Sequence, residues 1–333
     1  MSTRLVLVTG GAGFIGSNVV AELAADPDFD VAVCDRLGEA ALGKWRNLAR
    51  HSIADFVEPE ALFAWLDGRG RDTAVIVHMG AISSTTEPDA DRIIATNFGI
   101  SRDLFDWCAH HGRAFIYASS AATYGAGAGG FEDDQSLDKL AALRPLNAYG
   151  WSKAVFDRYA VREAGRGHSP RQWTGLKFFN VYGPNEAHKD AMRSVVAKIW
   201  PDIAQGRPVR LFRSHRAGWA DGGQQRDFIY VRDVAKVVAW LVRNGEVNGL
   251  FNLGTGQARS FLDLATAAWK AAGSAPQIEF VDMPGGLEEQ YQYFTEARME
   301  RLREAGWAEG FTSLEEGVAD YVTGYLATAD PYR

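Results

Sequence analysis

Leu5-Val6-Leu7-Val8-Thr9-Gly10-Gly11-Ala12-Gly13-Phe14-Ile15-Gly16 decides the fold. Four consecutive apolar residues run into a turn with glycines at 10, 13 and 16, and a helical pattern, Ile15–Ala25, follows at once. A strand that passes through such a turn into a helix is a phosphate-binding corner. The first glycine permits the tight turn, the second lets the backbone approach a pyrophosphate, and the third lets helix and strand pack closely. The helix start adds unpaired N–H donors for the phosphates. Gly10, Gly13, Phe14, Ile15 and Gly16 are therefore read as dinucleotide-binding. The next strand-like run, Val31–Cys34, delivers Asp35, where an acid can bond the adenosine ribose. Asp35 favours NAD, whereas Arg36 and Lys44 could pair a 2′-phosphate and favour NADP. These residues leave the choice open.

Outward from this corner, the runs Ala74–Val77, Ala114–Ala118 and Thr174–Phe179 alternate with helix candidates at Pro59–Leu66, Ala90–His110 and Ser152–Glu163. Continuous apolar strands alternating with helices mean a parallel sheet covered on both faces. After Gly183 the rhythm changes. A helix candidate at Met192–Gln205 precedes a basic, glycine-containing stretch, Arg213–Gln225. Then come a helix at Val231–Arg243, a strand at Leu250–Leu253, a helix at Phe261–Ala272 and an amphipathic helix at Ser313–Ala327. The expected fold is α/β: a Rossmann doubly wound parallel sheet over residues 1–182 with a smaller, irregular α/β substrate-binding lobe over 183–333. Segments near 228–255 are expected to return to the first domain. The tract Gly125–Gly130 reads as a loop, and there are no internal repeats.

Of the 333 residues, 47% are hydrophobic and 23% charged, which excludes disorder for most of the chain. The formal net charge of −7 argues against a nucleic-acid binder. The charge is uneven: between Arg171 and Arg216 nine Lys/Arg stand against the three acids Glu186, Asp190 and Asp202. A basic segment in an acidic protein suggests a small anionic ligand. Cys34 and Cys108 are read as buried reduced thiols rather than a disulfide framework. No apolar run reaches the ~18 residues of a membrane span. The glycines inside the first apolar run argue against a signal peptide, so a cytoplasmic location is expected. No metal site is expected.

Tyr149-Gly150-Trp151-Ser152-Lys153 places a phenol and an ammonium four residues apart, on one helix face. A neighbouring cation favours the phenolate and should lower the tyrosine's pKa towards usefulness in acid/base work. Upstream, Phe115–Ala118 delivers Ser119 and Ser120 at a strand's C-terminal end, where α/β sheets put their ligands. Ser120 can bond a substrate hydroxyl and share its proton with Tyr149. The alternative is a serine capping its own turn.

Together these motifs resemble the extended short-chain dehydrogenase/reductase family over essentially the whole chain. His78-Met79-Gly80-Ala81 and Asn97 match its cofactor side, and Val231–Ala235 and Phe251–Gly254 match its second-lobe landmarks. Ser83-Ser84-Thr85-Thr86-Glu87, Asn180-Val181-Tyr182-Gly183-Pro184 running on to His188-Lys189, and Tyr291-Gln292-Tyr293-Phe294-Thr295 are similar to members that invert C6 of an ADP-heptose. The resemblance implies bound NADP, a homo-oligomer (a pentamer) and a role in supplying lipopolysaccharide heptose. It implies catalytic roles for Ser120, Tyr149, Lys153 and Lys189, the last as a second proton carrier or a cofactor-binding residue. Met79, Gly80, Ala81, Ser83, Asn97, Lys153, Val181 and Lys189 join the cofactor set. Ser84, Asn180, Lys198, Phe212, Ser214, Arg226 and Tyr291 are implied substrate residues. Asp190-Ala191 departs from the family's small residue followed by serine, and 215–225 is long. Alternatives are another nucleotide-sugar epimerase or dehydratase, or a non-catalytic cofactor-sensing protein. Ser120 is followed by Ala121-Ala122-Thr123, without the acid pair a dehydratase needs.

Overall fold

The apolar run after Arg4 becomes an inner strand of a seven-stranded parallel sheet in a computed structural model of the chain, which describes residues 3–285 and 291–333. The strands in chain order are β1 (Arg4–Thr9), β2 (Phe29–Cys34), β3 (Asp55–Val57), β4 (Val75–His78), β5 (Ala114–Ser120), β6 (Gln172–Phe178), β7 (Asn180–Tyr182), β8 (Val209–Phe212), β9 (Gln225–Tyr230), β10 (Gly249–Leu253), β11 (Ala258–Ser260) and β12 (Ile278–Val281). The main sheet has the order β10-β6-β5-β4-β1-β2-β3. Val6 pairs with Val31 on one side and Val75 on the other. The order reverses between β1 and β4, and a crevice opens beyond the carboxyl ends of strands at such a switch point.

The principal helices are α1 (Phe14–Ala24), α2 (Ile100–His111), α3 (Ala148–Gly165), α4 (Val195–Ala204), α5 (Val231–Arg243), α6 (Phe261–Ala271) and α7 (Leu314–Tyr321). The long helix expected at Ala90–His110 is interrupted by a wide π turn over Ala95–Gly99. Such turns are frequent at functional sites, and this one carries the buried Asn97. Helix α5 packs on α1 and β10 pairs in parallel with β6, so the chain returns to the first layer after β9. The terminal amphipathic stretch is α7 followed by a π turn, Val322–Leu326.

The second lobe contains strands that periodicity did not reveal. β7 and β11 are three residues long, too short for alternation to show. β7 pairs in parallel with β9, and β11 pairs antiparallel to β9. β8 and β12 form a separate parallel pair. The apolar faces of β7, β8, β9 and β12 with α4, α6 and α7 build one core that also takes in Phe14 from the start of α1. The glycine corner and the second lobe thus share a side chain.

Under β5 lies a buried ion pair. Lys177 Nζ stands 2.6 Å from Asp157 Oδ2, with side-chain exposures of 1% and 0%. The same carboxylate accepts from Tyr117 Oη at 3.0 Å and Ser119 Oγ at 2.8 Å. Cys34 and Cys108 are free, buried thiols, and burial pushes the Cys34 pKa up to about 12. Among the described residues no helix is long and apolar enough to cross a membrane.

Candidate functional site

The glycines make a cradle. Gly10 has φ +66°, and a Cβ there would lie 2.6 Å from the Gly80 amide nitrogen, while one on Gly16 would collide with the Gly10 carbonyl. Side chains at these positions would push the turn away from the loop after β4 and from the start of α1, so the glycines let the three backbone segments close up around the helix N-terminus. Helix α1 starts at Gly13 without a side-chain cap, which leaves its first N–H groups for a ligand. A cleft of about 370 Å³ lies over this corner, lined by Gly10, Gly13, Phe14, Ile15, Gly16, Asp35, Lys44, Met79, Gly80, Ala81, Ser83, Ser84, His188, Lys189 and Met192. The residues present fit a dinucleotide.

Asp35 is already engaged. Its carboxylate accepts from the Ala12 amide at 2.9 Å, the Arg36 amide at 2.7 Å and Lys44 Nζ at 2.7 Å. Lys44 therefore neutralises the acid expected to repel a 2′-phosphate. The Arg36 guanidinium turns to Glu60, at the edge of an adjoining cavity of about 590 Å³ that includes Phe63, Ala81, Ile82 and Ile100. Asn97 does not face either cleft. Its amide bonds Ile82 on both oxygen and nitrogen sides and donates to Ser152 Oγ at 3.1 Å. It ties the loop after β4 to α3 and so acts on the cofactor side indirectly. His188 was not among the expected site residues. It lines the cleft, and burial with Lys44 and Lys189 nearby lowers its pKa to about 4, so its ring is neutral.

A second cleft, about 500 Å³, opens beside the first and shares Phe14, Ile15, Ser83, Lys189 and Met192 with it. Strand β5 delivers Ser120 to its wall and α3 delivers Tyr149. Asn147 caps α3 by accepting from the Gly150 amide at 2.8 Å, which places Tyr149 in the first turn. Tyr149 stands beside Ser120, whose side chain acts to lower the phenol's pKa, and the Ser120 oxygen accepts from the Ala122 amide at 3.1 Å. The turn-capping role and the cleft-facing role coexist. Lys153 lies buried one turn on, its Nζ donating to the Ala118 carbonyl at 2.7 Å. Burial lowers its pKa to about 8 against the opposing pull of Asp157. The expected lowering of the tyrosine is not what this environment produces. Burial raises the Tyr149 pKa, and Ser120 alone opposes it.

The other wall comes from the second lobe. Lys189 lies on the segment after β7, with Nζ 4.9 Å over the Phe14 ring. Burial lowers its pKa, Lys198 adds to the lowering, and Glu186 opposes it. Arg226 is 8% exposed, with its guanidinium 5.6 Å from the Phe261 ring centre and 5.4 Å from that of Tyr291. Its neighbour Asp227 is committed elsewhere, accepting from Thr255, Gly256 and Ala297. Among the described residues Arg226 has no carboxylate partner, so it is a buried cation ready for an anion. Asn180, Val181, Arg193, Gln292 and Thr295 complete this wall, and Thr85 reaches the cleft from the loop after β4.

Several expected residues stand apart. Phe212 and Tyr291 line a recess of about 170 Å³ that shares Val195 and Phe261 with the second cleft. Ser84 faces the first cleft, and Thr85 rather than Ser84 reaches the second. Lys198 is exposed on α4 and lines neither cleft. Ser214 bonds within its own loop, to Arg216 and Asp221. The basic segment also disperses. Lys177 pairs with Asp157, Arg207 with Asp202, Arg210 with Glu279 and Arg213 with Asp282, leaving Lys189 and Arg193 at the cleft. Net charge along a sequence could not show this, because the neutralising acids on β12 and after it lie some seventy residues away. Among the described residues no group of His, Cys, Asp and Glu could hold a metal ion.

Residues 6–254 match the model of the NAD dependent epimerase/dehydratase family. Among curated proteins, the chain is 48% identical over 330 residues to an ADP-L-glycero-D-manno-heptose-6-epimerase of Nitratidesulfovibrio vulgaris strain DP4, covering 98% of this chain and 100% of that one. It is 42% identical over 336 residues to the protein of the same name from Fusobacterium nucleatum, with the same coverages. Among solved structures, the ADP-L-glycero-D-manno-heptose-6-epimerase of Helicobacter pylori superposes with a TM-score of 0.78 at 25% identity, covering 97% of this chain and 96% of that one. A UDP-glucose 4-epimerase of Thermus thermophilus in complex with NAD gives 0.72 at 28% identity, covering 96% and 98%.

Proposed function

The chain belongs to the NAD dependent epimerase/dehydratase family, and on that footing we propose that it interconverts the D-glycero and L-glycero forms of ADP-manno-heptose by inversion at C6. The observation that carries this reading is the second cleft. Tyr149 from the first domain and Lys189 from the second lobe reach the same space, and Arg226 stands in it without a carboxylate partner among the described residues. None of the described residues lining it is Asp or Glu, which favours an epimerase over a dehydratase.

Inversion through a ketone requires a proton carrier for each orientation of the C6 oxygen. Tyr149 Oη, beside Ser120, takes and returns the proton in one orientation. Lys189 Nζ does so in the other, because burial brings an ammonium towards the range where it exchanges protons. Lys153, anchored on Ala118, supplies positive charge behind Tyr149. Bound NADP supplies reversible hydride storage, so no net redox change results. Gly10, Gly13 and Gly16 would receive its pyrophosphate, and Lys44 its 2′-phosphate. The Lys44–Asp35 pair supports NADP over NAD, because the repelling carboxylate is already neutralised. Arg226 with Arg193 would hold the substrate diphosphate, and the Phe212–Tyr291 recess the adenine. Residues 1–182 mainly serve the cofactor and 183–333 mainly the substrate, with 228–255 returning to the first domain. Assembly as a cytoplasmic homopentamer belongs to the same reading.

Incubation with each C6 epimer, resolved by NMR, should lead to the same mixture without accumulation of reduced cofactor. Tyr149→Phe should slow this by about 10²–10⁴-fold while retaining the dinucleotide. Both epimers persisting unchanged with the wild-type chain, or turnover of UDP- or dTDP-hexoses instead, would refute the proposal. Mass spectrometry of the released dinucleotide decides between NADP and NAD, and native mass tests the pentamer.

A further inference from the structure

The segment that carries Lys189 is held by a carboxylate the chemistry above does not use. Glu186 is 1% exposed. One of its oxygens accepts from the Ser194 amide at 2.5 Å, and the other accepts from Ser194 Oγ at 2.5 Å and Tyr321 Oη at 3.0 Å. Ser194 is in turn the N-cap of α4, accepting from the Ala197 amide. The Glu186 side chain therefore joins the start of the segment to its end, and α7 braces the joint through Tyr321. The Lys189 amide donates to the Glu186 carbonyl at 3.0 Å, so the lysine's own backbone hangs from the same residue.

The backbone between these ties is unusual. Asn185 has φ +73° and Asp190 has φ +47°, the two non-glycine residues in the left-handed region among those described. They flank Lys189 on either side. Such conformations persist only where the surroundings over-determine them, and they cluster at functional sites. A buried carboxylate with three donors aimed at it, rather than an apolar plug, is an expensive way to close a loop. Its charge has a target nearby. Glu186 faces the Lys189 ammonium from its own segment, Lys198 faces it from α4 with like charge, and the Phe14 ring faces it from α1.

We propose that Glu186 is a positioning residue for Lys189, closing residues 186–194 into a clasp that sets where the Lys189 side-chain nitrogen meets the substrate. This rests on the reading of Lys189 as the second proton carrier.

The test uses the NADP-loaded protein in single-turnover oxidation of each C6 epimer, followed by the absorbance of reduced nicotinamide. In each case the C6–H bond breaks with its electron pair passing to the nicotinamide, and the hydroxyl proton passes to the phenolate form of Tyr149 or to the neutral amine form of Lys189. Lys189→Met should slow one epimer by about 100-fold or more and leave the other within about 2-fold. Glu186→Gln should slow that same epimer by about 10-fold and spare the other. Tyr321→Phe, which removes a single brace, should show the same asymmetry at about 3-fold. In the ligand-free protein, reductive methylation of Lys189, read by peptide mass, should quicken in Glu186→Gln as the clasp loosens. If Lys189→Met is asymmetric but Glu186→Gln and Tyr321→Phe slow both epimers equally, or neither, the positioning role is wrong. If Lys189→Met itself shows no asymmetry, the proton-carrier reading falls and the positioning role with it.

Discussion

Arg226→Met separates affinity from stability. The substitution removes the charge and keeps an unbranched chain between the Phe261 and Tyr291 rings. In the native protein the guanidinium is buried and donates to the Gln225 carbonyl at 2.8 Å, and Asp227 is saturated by other donors. A hydrogen bond to a charged group contributes about 1.5–3 kcal/mol, and truncating one partner of a buried charge pair costs about 2–5 kcal/mol. A loss of about 2–4 kcal/mol is therefore expected for a diphosphate seated on Arg226. At 1.4 kcal/mol per decade this weakens binding about 30- to 700-fold. Stability should respond differently. The cation–π contacts, about 0.5–2 kcal/mol, are lost, but so is the cost of keeping a cation out of water without a counter-charge. The unfolding free energy should thus change by less than about 1 kcal/mol. Calorimetric titration with ADP-heptose and with ADP should show the same loss for both, since the contact is with the diphosphate, while adenosine should bind as before. ADP affinity within about threefold of wild type, in a variant that melts normally, would show that the anion sits elsewhere.

Lys44→Ala should shift cofactor choice: NADP binding should weaken by about 10- to 150-fold through the lost charge-assisted bond, while NAD binding holds or improves because Asp35 is freed for the ribose hydroxyl; competitive binding with the two dinucleotides decides this. Lys177→Met strands the Asp157 carboxylate and should destabilise the chain by about 3–5 kcal/mol in denaturant unfolding, and Lys177→Met with Asp157→Leu should recover much of it; a double variant no better than the single would show that the pair is not the origin of the loss. Lys153 carries a pH signature. Its folded pKa is lowered from 10.5 to about 8, so between those values the unfolded chain binds the extra proton and stability from this residue rises with pH. The unfolding free energy of wild type relative to Lys153→Met should therefore increase from about pH 8 towards pH 10.5, and a flat difference across that window would contradict the burial of a titrating amine at this position.

What could be read locally was read well. The strand, glycine turn and helix at residues 4–24 are contiguous, and their geometry depends on residues a few positions apart. Tyr149 and Lys153 share a helix face by spacing alone, and Ser120 stands at a strand end that its apolar run foretells. Lys44 and Asp35 are near enough in sequence to be assigned to one pocket, but that they pair with each other is shown only by the structure. The short strands β7 and β11 escaped, because three residues hold too little pattern and their pairing with β9 is a long-range choice. Asn97 was legible as a cofactor-side residue but not as one turned inward, since the π turn that rotates it depends on packing against α3.

The amino-acid sequence by itself determined the doubly wound sheet and the glycine turn between β1 and α1, because each is specified by periodicity or by spacing within one element, and it named candidates for the chemistry-bearing side chains. Only the tertiary structure decided which charges are spent and which are available. Arg226 stands beside Asp227 in sequence yet is not paired with it, while Arg210 and Arg213 are neutralised by Glu279 and Asp282 from a distant strand and the turn after it. Charge pairing depends on distance in space and on desolvation, neither of which is a property of neighbouring positions along a chain. For the same reason Glu186 reads as one more acid in the sequence, and becomes the clasp of the Lys189 segment only when Ser194 and Tyr321 converge on it.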